Sequence, residues 1–219
     1  IQNCVVYHGH GGFVVGSEMS GGIRNVYVRD CTFINTDVGL RFKSTRGRGG
    51  VVEKIYIERI NMLDIERAAI SVSLFYEQKQ RHKQEAVPVT EETPVFRDIH
   101  FKEVVCRGAE KAVVLEGLPE MPLSKITMEK VSISAEEGLF CSEVEDSTLK
   151  QVEFFPQRGP VLTVVNSRNV TIETGVYPEE NRRLLRVEGK RCSRIRLLGP
   201  GGKELREELE SGAEVPAEV

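Results

Sequence analysis

The chain has 219 residues, of which 40% are hydrophobic and 29% charged, and its formal net charge is −3. This length allows one elongated domain or two small ones, each with a sizeable buried core. The net charge argues against a bulk nucleic-acid binder, and no apolar run approaches the roughly 18 residues that a membrane-spanning helix needs. We therefore expect neither nucleic-acid nor membrane partners.

The N-terminus and the cysteines bear on the compartment of the protein. The chain begins Ile1-Gln2-Asn3-Cys4, without Met and without a signal-peptide pattern, which we interpret as a truncated N-terminus. The localisation therefore stays open. No two cysteines form a Cys-x-x-Cys pair, so we predict buried small hydrophobic side chains rather than a disulfide scaffold or a zinc site. The cysteines are Cys4, Cys31, Cys106, Cys141 and Cys192.

Two series of short apolar runs interleave along the chain, with Gly, Asn and Asp between them. Each run alternates apolar and polar residues over four to six positions, which is typical of strands. The first series has its leading apolar residues at Val26, Ile55, Ile99, Ile126, Leu149, Val170 and Ile195. The second series begins at Phe13, Gly39, Ala69, Ala112, Gly138, Pro160 and Leu184. Two strands per repeat predict an all-β solenoid of stacked parallel strands with about seven turns present.

The repeat divides the chain into a solenoid over residues 1–198 and a C-terminal tail over 199–219. Residues 77–94 are polar, lack β alternation and interrupt the repeat as an insertion. Such a loop either lies on the binding face or is merely tolerated at the surface. The Gly- and Glu-rich tail is predicted to be a short helix or a frayed end.

A candidate binding patch joins His10 to Arg41 and Lys43. His10 lies between glycines, which remove side-chain bulk and allow unusual backbone angles. Arg41 and Lys43 alternate with Phe42 on one strand, so both cations share its outward face. Phe13 and Leu40 are 27 residues apart, about one solenoid turn, so the imidazole and the two cations are predicted to lie together. Two cations form a natural carboxylate clamp, although a turn His and a solvated strand face explain the same residues.

Four more residues are candidates for substrate binding. Tyr76 closes the next strand, where its ring would stack on a sugar or simply cap the strand. Glu18 would accept from sugar hydroxyls or pair with a neighbouring Arg. Arg46 and Arg48, in a Gly-rich turn after Lys43, would extend the anion-binding surface or form an ordinary basic turn.

We predict no cofactor and no metal. The four histidines are not at ligand spacing with one another, and neither Gly-x-Gly-x-x-Gly nor a P-loop is present.

In this order and spacing, the motifs resemble the polygalacturonases of glycoside hydrolase family 28. Gly9-His10-Gly11 is similar to the family's Gly-His-Gly motif, and Arg41-Phe42-Lys43 to its Arg-Ile-Lys motif. Tyr76 matches the tyrosine after the next strand, and segments 16–22 and 46–50 resemble the bacterial exo-acting branch. The resemblance covers about residues 1–175 and implies a right-handed parallel β-helix, pectin or oligogalacturonide as substrate, and His10 as a catalytic residue.

The resemblance also implies hydrolysis of α-1,4-galacturonosyl bonds with inversion, by an acid and a base held far enough apart to admit water. The family carries these aspartates in an Asn-Thr-Asp segment and an Asp-Asp pair, both before Gly-His-Gly. Residues 1–9 contain no acidic residue, and Asn35-Thr36-Asp37 spells the first motif after His10, where we interpret it as a turn. We therefore expect the acid and base to lie upstream of residue 1, so that the isolated chain is inactive and the N-terminal turns of the solenoid are missing.

Two alternatives stay open. The chain is either part of a pectin glycosidase or a non-catalytic β-helix that binds acidic polysaccharide. As an enzyme, its substrate is either polygalacturonate or a relative such as rhamnogalacturonan or xylogalacturonan.

Overall fold

A computed structural model describes residues 1–76, 85–175, 183–205 and 209–211. The described residues form fourteen strands and one short 3₁₀ helix, Pro200–Gly202. The strands are β1 Val5–Tyr7, β2 Gly11–Val15, β3 Ile23–Ile34, β4 Val38–Lys43, β5 Val51–Ser73, β6 Val95–Glu116, β7 Leu123–Ala135, β8 Glu137–Ser142, β9 Val144–Pro156, β10 Leu162–Val165, β11 Arg168–Thr174, β12 Leu185–Glu188, β13 Ser193–Leu198 and β14 Leu209–Ser211.

All strand pairs are parallel and follow two ladders that wind around one core. One ladder runs β1-β3-β5-β6-β7-β9-β11-β13, and the other runs β2-β4-β5-β6-β8-β10-β12-β14. The long strands β5 and β6 belong to both because each bends from one ladder into the next. The predicted pairing of Phe13 with Leu40 is present. The fold is therefore the predicted parallel β-helix.

The register corrects one step of the sequence repeat. The sequence repeat aligns Leu149 with Ile126. In the structure Leu149 pairs with Met128 instead, and Ser147 lies beside Ile126. Ser147 occupies an inward place without an unsatisfied hydroxyl, because its Oγ donates to the carbonyl of Glu145 and accepts from the backbone N–H of Ile126. A polar residue at an inward position hid the alternation on which the alignment depended.

The coils bend at aligned residues with left-handed backbone angles. Asn25, Lys54, Asp98 and Lys125 have φ between 54° and 59° and occupy one position in consecutive coils. Asn and Asp adopt this region more readily than most residues, whereas Lys has no such preference. The left-handed backbone angles of Lys54 and Lys125 follow from tertiary stacking, since the neighbouring coils fix the path of the backbone.

Stacked inward side chains fill the interior. Phe42 is fully buried, and its ring centroid lies 5.9 Å from that of Phe13 and 6.0 Å from that of Phe101, both edge-to-face. Edge-to-face contacts align the positive ring edge with the negative face. This core holds Arg41 and Lys43, on either side of Phe42, toward the outside.

Four of the five cysteines are buried as predicted, and all five are free. Cys4 is exposed, so the prediction is wrong for this residue. Cys31 lies in β3 between β1 and β5 and is covered from both sides. Cys4 precedes β1 at the end of the described stack, where no described coil covers its other side.

The insertion and the tail are described in part. Residues 77–84 lie outside the described residues, and residues 85–94 contain no strand. The tail contains the 3₁₀ helix Pro200–Gly202, in line with the predicted short helix, and also β14, which was not predicted and which pairs in parallel register with β12.

A thiol-labelling experiment tests this burial pattern. Burial raises the pKa of Cys106 and Cys141 to about 12, so their reactive thiolates are scarce at neutral pH. We expect one fast-reacting thiol in the native chain and five after unfolding in guanidinium. Cys4→Ser should remove the fast phase, whereas Cys106→Ser should leave it unchanged. A second fast thiol in the native chain would contradict the described core.

Candidate functional site

The site begins where β2 and β4 lie side by side. Gly11 pairs with Val38, so the residues just before them, His10 and Asp37, are neighbours on consecutive coils. Arg41 follows three residues after Val38 in β4, with its side chain on the outward face. The register thus brings His10 together with Asp37 and Arg41, which lie 27 and 31 residues after it in the sequence.

His10 links Asp37 to Arg41. Its Nδ1 hydrogen-bonds to Oδ2 of Asp37, and its Nε2 lies 2.9 Å from Nη1 of Arg41. Because a guanidinium can only donate, Nε2 must be the acceptor, which leaves the proton on Nδ1 and directs it at the carboxylate. This tautomer follows from the hydrogen bonds on both ring nitrogens. The predicted proximity of His10 and Arg41 is confirmed, whereas a catalytic role of His10 stays a prediction.

Asp37 is the partner that the sequence interpretation missed. Segment 35–37 does form the turn between β3 and β4, but Asp37 also contacts His10. The hydrogen bond from His10 is the largest cause of a lowered Asp37 pKa, so this carboxyl is ionised at neutral pH. The signal was available, since the step of 27 residues that relates Phe13 to Leu40 also relates His10 to Asp37.

The glycines beside His10 provide space rather than unusual backbone angles. Neither Gly9 nor Gly11 has a left-handed φ. A Cβ on Gly11 would lie 2.3 Å from Cγ2 of Val14, and one on Gly9 would lie 2.8 Å from Cγ1 of Val6. A larger residue at either position would therefore require the valine side chain, or the turn that holds the imidazole, to shift.

Tyr76 lies next to both cations. Nζ of Lys43 is 4.3 Å from the centroid of the Tyr76 ring, and Cζ of Arg41 is 5.9 Å from it. These distances fit cation–π contacts. Arg41, Lys43 and Tyr76 therefore form one group with His10 and Asp37, which we call the cationic patch.

The remaining predicted residues pair with one another or with other loops. Nη1 of Arg48 donates to Glu18 at 3.1 Å, so Glu18 is held by a neighbouring Arg. Arg46 donates from Nε and Nη2 to the two carboxylate oxygens of Glu120, at 2.6 and 2.8 Å. Both guanidinium groups thus already have carboxylate partners, and their contact with a polymer stays a prediction.

The Arg46–Glu120 pair joins three loops. The Glu120 side chain is 4% exposed, and Nη2 of Arg46 also donates to the carbonyl of Glu85 at 3.2 Å. The N–H groups of Gly47 and Gly49 donate to the carbonyl of Glu92 at 3.1 and 2.8 Å. The end of the insertion is therefore fastened to the turn that follows Lys43.

A groove of about 660 Å³ extends from the cationic patch along the outward face of the second ladder. It crosses β4, β5, β6, β8 and β10, and Arg41 lies at its first strand. Its lining includes Arg41, Arg67, Lys111, Glu137, Phe140 and Arg158. A cleft of this size is large enough to bind an oligosaccharide or a similar ligand.

The described residues contain neither a metal-binding cluster nor a helix that could span a membrane. No group of three or more His, Cys, Asp or Glu side chains in that part of the chain is arranged to hold a metal ion. Within the same residues, no helix has the length and apolarity to cross a bilayer.

Comparison with known proteins identifies the family. The sequence model of the protein family glycosyl hydrolases family 28 matches residues 1–153. The chain belongs to this family. Its parallel β-helix and the order of its Gly-His-Gly and Arg-Phe-Lys motifs agree with that assignment. No solved structure gives a significant match.

Three relatives of the family 28 chain are polygalacturonan-degrading enzymes by name. A probable polygalacturonase from Vitis vinifera is 28% identical over 188 residues, which are 82% of this chain and 35% of that protein. An endo-polygalacturonase from Pectobacterium carotovorum subsp. carotovorum is 28% identical over 128 residues, 58% of this chain and 29% of that protein. An exo-poly-alpha-D-galacturonosidase from Dickeya chrysanthemi is 36% identical over 69 residues, 32% of this chain and 12% of that protein. The chain thus spans about a third of the first relative.

The Arg46–Glu120 pair makes stability depend on pH. Burial raises the pKa of Glu120, but hydrogen bonds from Arg46 and the backbone lower it further, so the net pKa is below its ordinary value. The ionised Glu120 therefore stabilises the folded chain fully above the ordinary pKa of a glutamate carboxyl. This stabilisation is lost as the pH falls through the lowered pKa that Glu120 has in the folded chain. We expect Glu120→Gln to reduce the free energy of unfolding by about 1–3 kcal/mol at neutral pH.

Urea denaturation at several pH values measures this effect. The difference between Glu120→Gln and the parent chain should narrow as the pH falls below roughly 4. Glu91→Gln, on an exposed residue of the same insertion, is the control and should change little at any pH. A gap between Glu120→Gln and the parent that stays constant to low pH would contradict a charged Glu120 in the folded chain.

Proposed function

We propose that the chain forms the carboxylate-binding part of an active site that hydrolyses α-1,4-galacturonosyl linkages of polygalacturonate, with inversion and from a chain end. The observation that carries the proposal is the cationic patch at the start of the groove. Within the described residues, the Arg41 side chain donates one hydrogen bond, to His10. The other N–H groups of its guanidinium are therefore available to a ligand. A sugar carboxylate is the ligand that suits a guanidinium with an ammonium beside it.

In this proposal, His10 acts on the ligand through Arg41. The Asp37 carboxylate fixes the imidazole tautomer, and the imidazole accepts a hydrogen bond that orients the guanidinium. Tyr76 lies against both cations and limits the directions in which they can turn. The patch would therefore already be ordered when the substrate arrives, which lowers the entropy cost of binding.

Proton transfer requires groups other than the cationic patch. An inverting glycosidase needs one carboxylic acid at the leaving oxygen and a carboxylate base at the attacking water. The Asp37 carboxylate is engaged with His10, and residues 1–9 hold no acidic residue. We propose that the acid and the base are contributed by residues outside these 219, as the family resemblance implies.

Exo action has weaker support than the substrate class. The identity with the Dickeya exo-poly-alpha-D-galacturonosidase is 36%, but it extends over 69 residues, whereas the endo-polygalacturonases match over 128. Segments 16–22 and 46–50 resemble the exo-acting branch. Product analysis by chain length would distinguish release of end units from random internal cleavage.

Binding to short oligogalacturonates tests the cationic patch directly. We expect Arg41→Ala and Lys43→Ala each to weaken binding of digalacturonate by roughly 10- to 100-fold, because each removes a charge-assisted hydrogen bond. Isothermal titration calorimetry on the 219-residue chain measures this effect. Arg97→Ala, on an arginine that pairs with Glu53 and does not line the groove, is the matched control. Unchanged affinity in both patch variants would contradict the proposal.

A reducing-end assay separates the enzyme from the non-catalytic alternative. We expect the 219-residue chain to bind polygalacturonate without releasing sugar, because the patch holds no acid–base pair at the spacing that hydrolysis needs. A longer chain that also carries the two aspartate motifs should release galacturonic acid. Turnover by the 219-residue chain would overturn the assignment of the acid and base. Absence of turnover in the longer chain would favour a polysaccharide-binding β-helix.

A further inference from the structure

Three connections leave the same edge of the second ladder, beside the cationic patch. They follow β4, β5 and β6 in turn, as turn 44–50, the insertion and loop 117–122. The strands before them are parallel and in register, with Lys43 paired to Ser73 and Ser73 paired to Glu116. The three connections therefore begin side by side, next to the cations that we assign to carboxylate binding.

Turn 44–50 holds the chain on both sides of the insertion. The backbone N–H of Tyr76, where the chain leaves β5, donates to the carbonyl of Ser44 at 3.0 Å. The backbone N–H of Val95, where the chain enters β6, donates to the carbonyl of Gly50 at 2.9 Å. A shift of this turn would therefore act on the backbone at both places.

The side chain of Arg46 joins this turn to loop 117–122. Its Nε and Nη2 donate to the two carboxylate oxygens of Glu120, and a forked contact of this kind fixes both the direction and the plane of the guanidinium. The same guanidinium donates to the carbonyl of Glu85 at the end of the insertion. Glu120 is nearly buried and does not line the groove, so it can act on a ligand there only through other residues.

Tyr76 connects this joint to the cationic patch. The centroid of its ring lies 4.3 Å from Nζ of Lys43 and 5.9 Å from Cζ of Arg41. Lys43 directly precedes turn 44–50, and the backbone of Tyr76 is hydrogen-bonded to that turn. A displaced turn would therefore move the ring and the ammonium relative to each other. Long cationic side chains that are held less firmly lose more conformational entropy when a ligand orders them.

We propose that Glu120 is a positioning residue for the cationic patch. It holds Arg46 and thereby turn 44–50, which keeps the ring of Tyr76 against the two cations. This inference rests on the proposed function, because the affinity that Glu120 controls is that of the patch for a sugar carboxylate. Glu120 sets how well the patch is ordered before the ligand binds, without contacting the ligand.

A double-mutant cycle between Glu120 and Tyr76 tests this route. Digalacturonate is titrated by calorimetry into the 219-residue chain, Glu120→Gln, Tyr76→Ala and the double variant, at a temperature where thermal unfolding shows all four to be folded. We expect Glu120→Gln to weaken binding by roughly three- to tenfold in the parent chain, but by less than about twofold in the Tyr76→Ala background, because its effect passes through that ring. A role of Glu120 in stability alone produces no such coupling.

Glu53→Gln is the matched control. Glu53 accepts hydrogen bonds from Nε and Nη2 of Arg97 at 2.9 and 2.8 Å, and neither residue lines the groove. This variant also breaks an arginine–carboxylate pair and should leave the affinity for digalacturonate unchanged.

A second measurement needs no ligand. Fluorine NMR of a fluorotyrosine placed at position 76 reports the surroundings of this ring. Its resonance should shift or broaden in Glu120→Gln and stay unchanged in Glu53→Gln, because only the first pair holds turn 44–50.

The outcomes separate this inference from the proposed function. Equal effects of Glu120→Gln and Glu53→Gln on affinity would overturn the positioning role and leave the cationic patch intact. An equal loss of affinity from Glu120→Gln in the parent and in the Tyr76→Ala background would overturn it as well, since Glu120 would then act by another route. If the parent chain did not bind digalacturonate, the proposed function would fail, whereas the fluorine resonance would still decide whether Glu120 holds Tyr76 in place.

Discussion

The in-register parallel stacking of coils determines where every functional side chain of this protein lies. Because each inward side chain packs on its equivalent in the next coil, a shift of one residue would exchange the inward and outward faces of a strand. Phe42 illustrates the constraint, since its buried ring contacts Phe13 and Phe101. With Phe42 fixed, Arg41 and Lys43 must both face outward. The geometry of the cationic patch is therefore a consequence of core packing.

The same stacking sets up an electrostatic difference along the groove. At its first strand, an ionised Asp37 holds a neutral His10, which in turn accepts a hydrogen bond from Arg41. The positive charge of the guanidinium is thus oriented without being neutralised by direct contact with a carboxylate. Three strands further on, Lys111 and Arg158 share Glu137 and are locally balanced. The groove therefore has an oriented guanidinium at its first strand and paired charges three strands further on.

Loops beside the groove are fixed by a different interaction. Glu120 is nearly buried, and a carboxylate in that position is tolerated only because Arg46 donates to both of its oxygens. The pair connects the turn after Lys43 with the end of the insertion and with the turn before β7. Arg46 thus holds loops together, and its predicted contact with a polymer stays a prediction.

The sequence by itself determined the fold class, the positions of most strands and the proximity of His10 to Arg41, because alternation and a recurring step of about 27 residues depend on local chemistry and strand geometry. It did not determine the register at Ser147, the left-handed backbone angles of Lys54 and Lys125, or the exposure of Cys4. These features depend on packing against the neighbouring coils. Partner choice was also decided by the tertiary structure. Asp37 contacts His10, and Arg46 contacts Glu120 across 74 residues. The hydrogen bond or ion pair that a charged side chain forms depends on distances in space, and the sequence gives those distances only where a repeat relates two residues.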